Sequence, residues 1–493
     1  MKKILFILIF MQFVYLYPFE IIGINDLEKG MRGHGYTVIE DRKIEQFNFE
    51  IISIINSSDT IPKMILAKLY GNTIYKAGGI SEGMSGSPLY IDGKLIGALS
   101  YAIDYDTLNM GIVTPIEYII KTEKNMIKNE NFIIENSKYI DEIKPGMSVS
   151  ISPVRGDIYF ENIGTLTYEK NGIFSALGHS FSNKGDIKFF LNASNVDYVI
   201  KNSKSPFKIG TVKETIGLVL QDRATGLLGV ITENIEVNKI KVNVKKDNEI
   251  IRYNMEMVND KNTIKFYLDK VIEAVLIKEI DAEDYKHMNY NFSLENSKGS
   301  FYEDKNCYTF LENNIHNFSS LISSNILNII NNPFYYINFE TIVIDIELKK
   351  ENKLAHIKNI KTNNIIYNPG SNIEFYVNYF VMQKGLKNQK IEIKIPRNLK
   401  VGNYIISIST GNKDDKDWHE YQNLLEYINN YKYKTKNNEL SIRIKNEENE
   451  VKFSTNIPIE DYNFMKFEYE KDIIIDSFEA ENDIYEYSTK KND

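Results

Sequence analysis

Cysteine is almost missing from this chain of 493 residues, in which Cys307 is the single example. One cysteine excludes an intramolecular disulfide and any metal site built from several cysteines. The sequence also has no HExxH motif, no acidic loop of EF-hand spacing, and no phosphate-loop lysine behind its glycine-rich stretch at 78–86. We therefore expect no metal and no cofactor.

An excess of positive charge is missing as well. The 59 lysines and arginines are outnumbered by 67 acidic residues, which gives a formal net charge of −8, and no concentrated basic stripe stands out. Nucleic-acid-binding domains carry such a stripe, so we do not expect a nucleic-acid partner.

Long apolar runs are confined to the N-terminus. Lys2 and Lys3 precede an apolar run at 4–17, which is short for a membrane span and typical of a secretory signal. No cleavage site of small residues is obvious, so residues 1–17 are either a signal peptide or an uncleaved anchor. The pattern predicts an exported protein of the periplasm or cell envelope, or a secreted one. A membrane tether is expected only through this segment.

Short β-runs dominate the first half of the chain. Residues 18–122 and 145–235 hold alternating, β-branched segments broken by glycine, with Asp92-Gly93 at a two-residue hairpin position. Each block has the size of one small β-barrel. A polar linker with room for one short helix separates them.

The second half is interpreted as further β-structure with two helices. Residues 236–332 form a β-rich extension, with a strand at 263–268 and a final amphipathic helix at 316–332. Residues 333–411 have the alternation of a small β-sandwich. Residues 412–493 form a small α+β C-terminal region with a second amphipathic helix, strands and a charged tail. The predicted fold class is mainly β.

The stretch GMSGSP at 83–88 contains the first candidate for chemistry. A serine hydroxyl becomes a useful nucleophile only with a base to remove its proton and with donors to hold the oxyanion. Glycines on both sides of Ser85 let the backbone turn, so the amides of Gly83 and Ser85 are candidate oxyanion donors. A tight structural turn uses the same small residues, and both interpretations stay open at this point.

A base would have to come from six histidines. His179 follows a run of small and apolar residues, FSALGHSF, at the end of a strand in the second β-block. A partly buried imidazole at a strand end facing another barrel is suited to general-base catalysis. A purely structural histidine is the alternative. His34, in RGHGYTV, is the other remaining candidate. The contexts of the other four are weaker, in a polar loop, at a helix start, in the sandwich region and on the C-terminal helix: His287, His316, His356 and His419.

The two motifs together resemble a known family. The stretch GMSGSPLYIDGKLIGALSY at 83–101 looks like the nucleophile motif, strand, turn and strand of chymotrypsin-like serine peptidases. With IGTLTYEKNGIFSALGHSF at 163–181, it resembles the SpoIVB-type serine peptidase family, an outlying branch of the chymotrypsin-like clan. The resemblance covers residues 28 to about 235. It implies a chymotrypsin-like double β-barrel, with Ser85 as nucleophile and His179 as base.

This sequence departs from the family pattern in two respects. The serine motif precedes the histidine motif, as in longer exported relatives, which implies a circularly permuted double barrel. The aspartate expected about 15 residues before the serine is missing, since Tyr70 lies near that position. Asp222 is the first candidate for the orienting acid and Asp186 the second, and a Ser–His dyad without an acid is a further alternative. A triad depends on geometry and not on chain order.

The resemblance also implies a substrate cleft and a function. The specificity region would lie around Gly79 and along Ser100, Tyr101 and Ala102, where small, uncharged surroundings suggest a small or apolar residue before the scissile bond. The leading hypothesis is an exported serine endopeptidase that acts on a protein or peptide substrate. The alternatives are a catalytically inactive scaffold that binds a peptide or an envelope protein, and an envelope structural protein. The sequence leaves the oligomeric state open.

Overall fold

The computed structural model describes residues 20–103, 108–129, 137–201, 205–280, 285–309, 315–410, 421–432, 434–459 and 462–476. The predicted signal or anchor at 1–17 lies outside these residues. The chain divides into two compact units, residues 1–239 with 254–271 and residues 240–253 with 272–493. Within the described part of the chain, no helix is both long and apolar enough to span a membrane.

The first unit begins with a closed six-stranded barrel, in which the strand order is β1-β2-β3-β6-β5-β4 and β1 pairs with β4. Alternation along β2 directs Phe47, Phe49 and Ile51 into the barrel core. Asp92 and Gly93 have φ angles of 48° and 76°, as a tight hairpin turn requires, which confirms the predicted hairpin. The strands are β1 (Arg32–Val38), β2 (Ile44–Asn56), β3 (Lys63–Tyr70), β4 (Pro88–Ile91), β5 (Lys94–Ala102) and β6 (Met110–Pro115). A 3-10 turn (Ile24–Asp26) precedes them, and helix α1 (Asn72–Ala77) follows β3.

A second ring of six strands follows in the same unit. Its order is β10-β11-β12-β9-β8-β7, and pairing of β7 with β10 closes the ring. Read from its other end, this order is β7-β8-β9-β12-β11-β10. When the strands of each barrel are numbered one to six along the chain, both barrels therefore have the order 1-2-3-6-5-4. The strands are β7 (Ser148–Gly156), β8 (Phe160–Lys170), β9 (Ile173–Ala176), β10 (Gly185–Ile200), β11 (Phe207–Arg223) and β12 (Gly226–Ile231).

Helix α2 (Ile116–Asn129) follows β6 and contributes to the packing of the two barrels. One apolar cluster joins Ile116, Ile119 and Ile120 of this helix to Ala98 of the first barrel and Leu228 of the second. The helix covers part of the predicted polar linker, which had room for one short helix. The prediction of a mainly β protein with a double barrel is confirmed.

Helix α3 (Lys261–Ile280) corrects the predicted strand at 263–268. Asp260 caps its N-terminus, since the Asp260 carboxylate accepts from the Thr263 amide at 2.8 Å. The buried positions recur at helical spacing along the folded helix, but six residues of sequence are too few to distinguish a helix from a strand. Its buried residues include Ile264, Leu268, Val271, Ile272, Val275 and Leu276.

The second unit contains an antiparallel sheet in the order β13-β17-β15-β16 and a two-sheet sandwich. The first sheet comprises β13 (Val237–Lys246), β17 (Thr341–Lys349), β15 (His287–Asn296) and β16 (Gly299–Thr309). Strand β14 (Glu249–Val258) follows β13, and its residues 255–257, which belong to the first unit, pair with β7 there. The predicted helix at 316–332 is confirmed as α4 (Ile315–Ile330), with Phe318, Ile322, Ile326, Ile329 and Ile330 buried.

The sandwich differs in extent from the predicted range 333–411. Its sheets have the orders β21-β20-β18-β25 and β19-β26-β22-β23-β24, so they use strands as far as Ile475, whereas β17 pairs in the other sheet. An alternating strand looks the same in either sheet, because its partners are distant in sequence. The strands are β18 (Leu354–Thr362), β19 (Ile366–Tyr367), β20 (Asn372–Val381), β21 (Gly385–Lys394), β22 (Gly402–Thr410), β23 (Glu439–Asn446), β24 (Val451–Pro458), β25 (Asn463–Phe464) and β26 (Glu468–Ile475), and helix α5 (Leu424–Lys432) lies between β22 and β23.

Candidate active site

Ser85 lies in the loop between α1 and β4, and the second barrel holds much of this loop through its carbonyl groups. The Ser85 carbonyl accepts from the Thr165 amide at 2.8 Å. The Gly83 carbonyl accepts from Thr165 Oγ1 at 2.9 Å and from Lys208 Nζ at 2.8 Å. The Glu82 carbonyl accepts from the Lys208 amide at 3.1 Å. Strands β8 and β11 therefore fix the orientations of three peptides around the serine, those that follow Glu82, Gly83 and Ser85.

The amides of Gly83 and Ser85 stand out from their neighbours. The amides of Glu82, Met84 and Gly86 donate to backbone carbonyls at 2.7, 2.9 and 2.7 Å, whereas those of Gly83 and Ser85 donate to no residue that the structure describes. A trans peptide directs its N–H opposite to its C=O. The carbonyl of Met84, which precedes the Ser85 amide, is held in turn by Ser87. Both free N–H groups are thus held by anchored peptides, as an oxyanion hole requires.

Gly86 is needed because the second barrel approaches the loop closely. Its φ is +93°, and a Cβ atom would lie 1.9 Å from the Thr165 carbonyl oxygen and 2.5 Å from the Leu177 amide nitrogen. Both are backbone atoms of β8 and of the segment after β9, so neither can move as a side chain would. The two barrels can therefore pack this closely only because the residue after the serine has no side chain.

Replacement of Gly86 by alanine is expected to lower the free energy of unfolding by about 2–5 kcal/mol, because backbone strain and overpacking act together. Gly93→Ala is the matched control, since Gly93 has a φ of +76° but no atom within 4 Å of a new Cβ. The control should lose only about 1 kcal/mol from strain. Urea unfolding of both variants measures the difference, and equal losses would contradict the close approach.

His179 lies three residues after the end of β9 and is partly buried. Its Nδ1 lies 2.8 Å from the Ser180 carbonyl, which can only accept, so Nδ1 carries the proton and Nε2 of the neutral ring is free to accept one. The Tyr101 ring stacks on the imidazole with centroids 5.1 Å apart. Burial lowers the pKa of His179 below its ordinary value of 6.5, while the Ser180 carbonyl and the charge of Asp222 oppose this shift.

Asp222 lies in β11 and holds the turn that follows His179. Its fully buried carboxylate accepts from the amides of Phe181 and Ser182 at 2.8 and 2.7 Å and from Ser182 Oγ at 2.7 Å. No hydrogen bond joins it to the imidazole in the described structure, so it acts on the ring through the turn and through its charge. The alternative, Asp186, forms an exposed ion pair with Arg223.

Asp222→Asn is expected to lower the free energy of unfolding by about 1–3 kcal/mol, because the amide NH₂ cannot accept from the buried donors around it. The pKa of His179 should fall further, since the carboxylate charge that raises it is removed. NMR titration of His179 and thermal unfolding measure both effects. Asp186→Asn is the control and should change neither quantity. If the pKa of His179 were unchanged in Asp222→Asn, the Asp222 carboxylate could not lie close enough to act on the imidazole by its charge.

Two hydroxyls of the first barrel brace the histidine loop. Ser100 Oγ and Thr114 Oγ1 both donate to the Gly178 carbonyl, at 2.8 and 2.7 Å, and they lie 2.6 Å apart. Ser100 was predicted to bind substrate through its backbone, and its side chain has this additional contact. Thr114, on β6, was not identified from sequence because only its position opposite the histidine loop reveals its role.

A cavity of about 270 Å³ brings most of the predicted site residues together. Ser85, His179 and Gly83 line it, and so do Ser100, Tyr101 and Ala102. Gly79 is not part of the lining; its amide donates to the Ile74 carbonyl at the end of α1. Sequence reasoning did not identify the other eight lining residues, which are Ile80, Ser81, Glu82, Leu99, Asn162, Ile163, Leu177 and Ser205.

The other histidines have different surroundings. His34 packs against Tyr36 and Tyr90, and His287 bonds to Thr309 and Asn289. His316 pairs with Glu273 and His356 lies in β18, while His419 is outside the described residues. In the described ranges, no three His, Cys, Asp or Glu side chains are grouped so as to hold a metal ion.

Comparison with known proteins agrees with the resemblance of the serine-bearing barrel. The model of the SpoIVB peptidase S55 family matches residues 12–119, which include β1 to β6 and Ser85. The match ends before the strands that hold His179. A search of curated proteins finds no match. The predicted family resemblance is confirmed, and the chain is a peptidase-like protein with a SpoIVB-type peptidase region at residues 12–119.

Proposed function

We propose that this protein is a serine endopeptidase in which Ser85 is the nucleophile and His179 the general base. The observation that carries the proposal is that the Gly83 and Ser85 amides donate to no described residue. Gly83 and Ser85 line the same cavity as the His179 imidazole. A loop that only turned would have no need to leave these two N–H groups unbonded while bonding the amides between and beside them.

The chemistry would follow from this arrangement. Ser85 Oγ attacks the scissile carbonyl carbon while its proton passes to Nε2 of His179. The carbonyl oxygen becomes an oxyanion, which accepts hydrogen bonds from the Gly83 and Ser85 amides. When the C–N bond breaks, the imidazolium gives its proton to the leaving amine. Water then attacks the acyl-enzyme by the same route and releases the acid.

The orientation of the base would depend on the Ser180 carbonyl, which holds Nδ1–H in the place of a carboxylate. Asp222 would stabilise the imidazolium by its charge and by holding the turn. It is therefore a positioning residue in this proposal.

Digestion of a mixed peptide library by the purified protein, followed by mass spectrometry, tests the proposal. We expect cleavage at internal peptide bonds, with a small or apolar residue before the cut, because the cavity lining includes Ile80, Leu99 and Ile163. Protein carrying Ser85→Ala is the control for a contaminating peptidase. Equal cleavage by both proteins, or none by either, would overturn the proposal.

Peptide binding without hydrolysis is the second candidate function. It is favoured by one observation: no hydrogen bond links Ser85 Oγ to His179 in the part of the chain that the structure describes. In an unliganded site such a bond can be long and tighten only with substrate. A library peptide retained by both wild type and Ser85→Ala, and recovered uncleaved from both, would identify the binding function.

We further propose that the protein acts outside the cytoplasm, on peptide or protein substrates. The proposal rests on Lys2, Lys3 and the apolar run at 4–17. Fractionation of cells and N-terminal sequencing of the mature protein test it. Recovery in the cytoplasm with an intact N-terminus would contradict export.

A further inference from the structure

Lys208 is a buried lysine directly behind the serine loop. It lies near the start of β11, and only 7% of its surface is exposed. Its Nζ donates to the Gly83 carbonyl at 2.8 Å and to Thr37 Oγ1 at 3.1 Å. Its backbone amide donates to the Glu82 carbonyl at 3.1 Å. One residue therefore holds both peptide groups that flank Gly83.

Gly83 is the part of the loop that most needs such support. Its φ is +91°, a conformation that glycine adopts freely, so the peptides on either side can rotate at little cost. Rotation of the peptide between Glu82 and Gly83 would turn one of the two free N–H groups away from the cavity. Fixing both flanking carbonyls removes this freedom.

The amino group of Lys208 lies in an environment that disfavours its charged form. Burial lowers the pKa of Lys208 to about 7, since a charged amine is poorly solvated there. The side-chain methylenes contact Gly83, and a Cβ on Gly83 would lie 2.9 Å from Lys208 Cδ. An apolar side chain of similar length could fill the same space without this desolvation. The polar tip contributes the bonds to Gly83 and Thr37.

We propose that Lys208 is a positioning residue for acyl transfer, which clamps the two peptides around Gly83 so that the oxyanion hole is preformed. This proposal rests on the proposed function. Lys208 is not among the residues that line the cavity, so it acts on the substrate only through the loop.

The test is Lys208→Met, which keeps the stem and the backbone amide and removes only the amino group. We expect the rate of labelling of Ser85 by a fluorophosphonate to fall about 10- to 100-fold, because misplacing one oxyanion donor costs up to about this factor. Lys170→Met is the matched control, since Lys170 is a buried lysine of the same barrel and does not line the cavity. Labelling of Lys208→Met within twofold of the control would overturn the proposal.

Hydrogen exchange measured by mass spectrometry gives a readout that does not depend on catalysis. In Lys208→Met, faster exchange should be confined to the peptide that covers residues 81–87, where the amides of Glu82, Met84, Gly86 and Ser87 are bonded. A merely structural role would instead raise exchange throughout the barrel, and this result would overturn the clamp. If wild type takes no label, the proposed function fails, while the exchange result still decides whether Lys208 clamps the loop.

Thr37→Val keeps the test decisive if Lys208→Met does not fold. This variant conserves volume and removes one of the two described partners of Nζ, so the amine is held less firmly. We expect a smaller fall in labelling, about threefold to tenfold, with faster exchange in the same peptide. Unchanged labelling and exchange in Thr37→Val would then overturn the proposal.

Discussion

Replacing Ser85 with alanine is expected to reduce peptide hydrolysis by about 10⁴- to 10⁶-fold, because the nucleophile of a serine peptidase cannot be substituted by its neighbours. The nearby Ser87 is no replacement, since its Oγ is bonded to the Met84 carbonyl at 2.6 Å and its side chain is fully buried. The free energy of unfolding should stay within about 0.5 kcal/mol of wild type, since Ser85 Oγ has no partner among the described residues.

Ser57→Ala is the control for this prediction. Ser57 is an exposed serine of the same barrel, in the turn between β2 and β3, and it does not line the cavity. Steady-state hydrolysis of a peptide found in the library digestion compares the three proteins. Residual activity above about 1% in Ser85→Ala would exclude Ser85 as the nucleophile.

Replacing His179 with glutamine is expected to reduce hydrolysis by about 10³- to 10⁶-fold, because the base and the proton donor for the leaving amine are both removed. Combining it with Ser85→Ala should cost little beyond the single changes, since the two groups act as a unit. His34→Gln is the control, because His34 packs on Tyr90 and Tyr36 and is not part of the cavity lining.

The dependence of hydrolysis on pH provides a second readout for His179. The base must be neutral, and burial lowers its pKa below 6.5. The rate should therefore fall as the pH drops through a midpoint below 6.5, where the ring takes up a proton. A midpoint above 6.5 would contradict the surroundings described for this ring.

The local motifs could be predicted from sequence because their chemistry is contained in a few adjacent residues. GMSGSP places glycines beside Ser85, and the small residues before His179 mark a buried strand end. Alternation along β2 and the turn at Asp92-Gly93 likewise depend on near neighbours. The two β-blocks and the mainly β fold followed from such signals.

The contacts that hold the site could not be predicted in the same way. Lys208 lies 125 residues from Gly83, and Thr114 lies 64 residues from Gly178. Only the pairing of strands in both barrels brings these groups together, and strand pairing leaves no local signal. A lysine in a β-strand is ordinarily read as a solvated residue, so Lys208 gave no indication of its burial.

Asp222 illustrates an intermediate case. The sequence identified it as the first candidate for the orienting acid, and the structure places its carboxylate on the turn after His179 and not on the ring. Helix α3 was misassigned for a different reason, since the six residues at 263–268 are too few to distinguish a strand from part of a 20-residue helix.

Peptide mapping of wild-type protein after reaction with a fluorophosphonate tests most directly whether Ser85 is an activated nucleophile. We expect one adduct per chain, on the peptide that contains Ser85, and no adduct when the protein is unfolded in urea before the reagent is added. The absence of any adduct on folded protein, or an adduct on another serine alone, would contradict a catalytic site built from Ser85, His179 and the Gly83 and Ser85 amides.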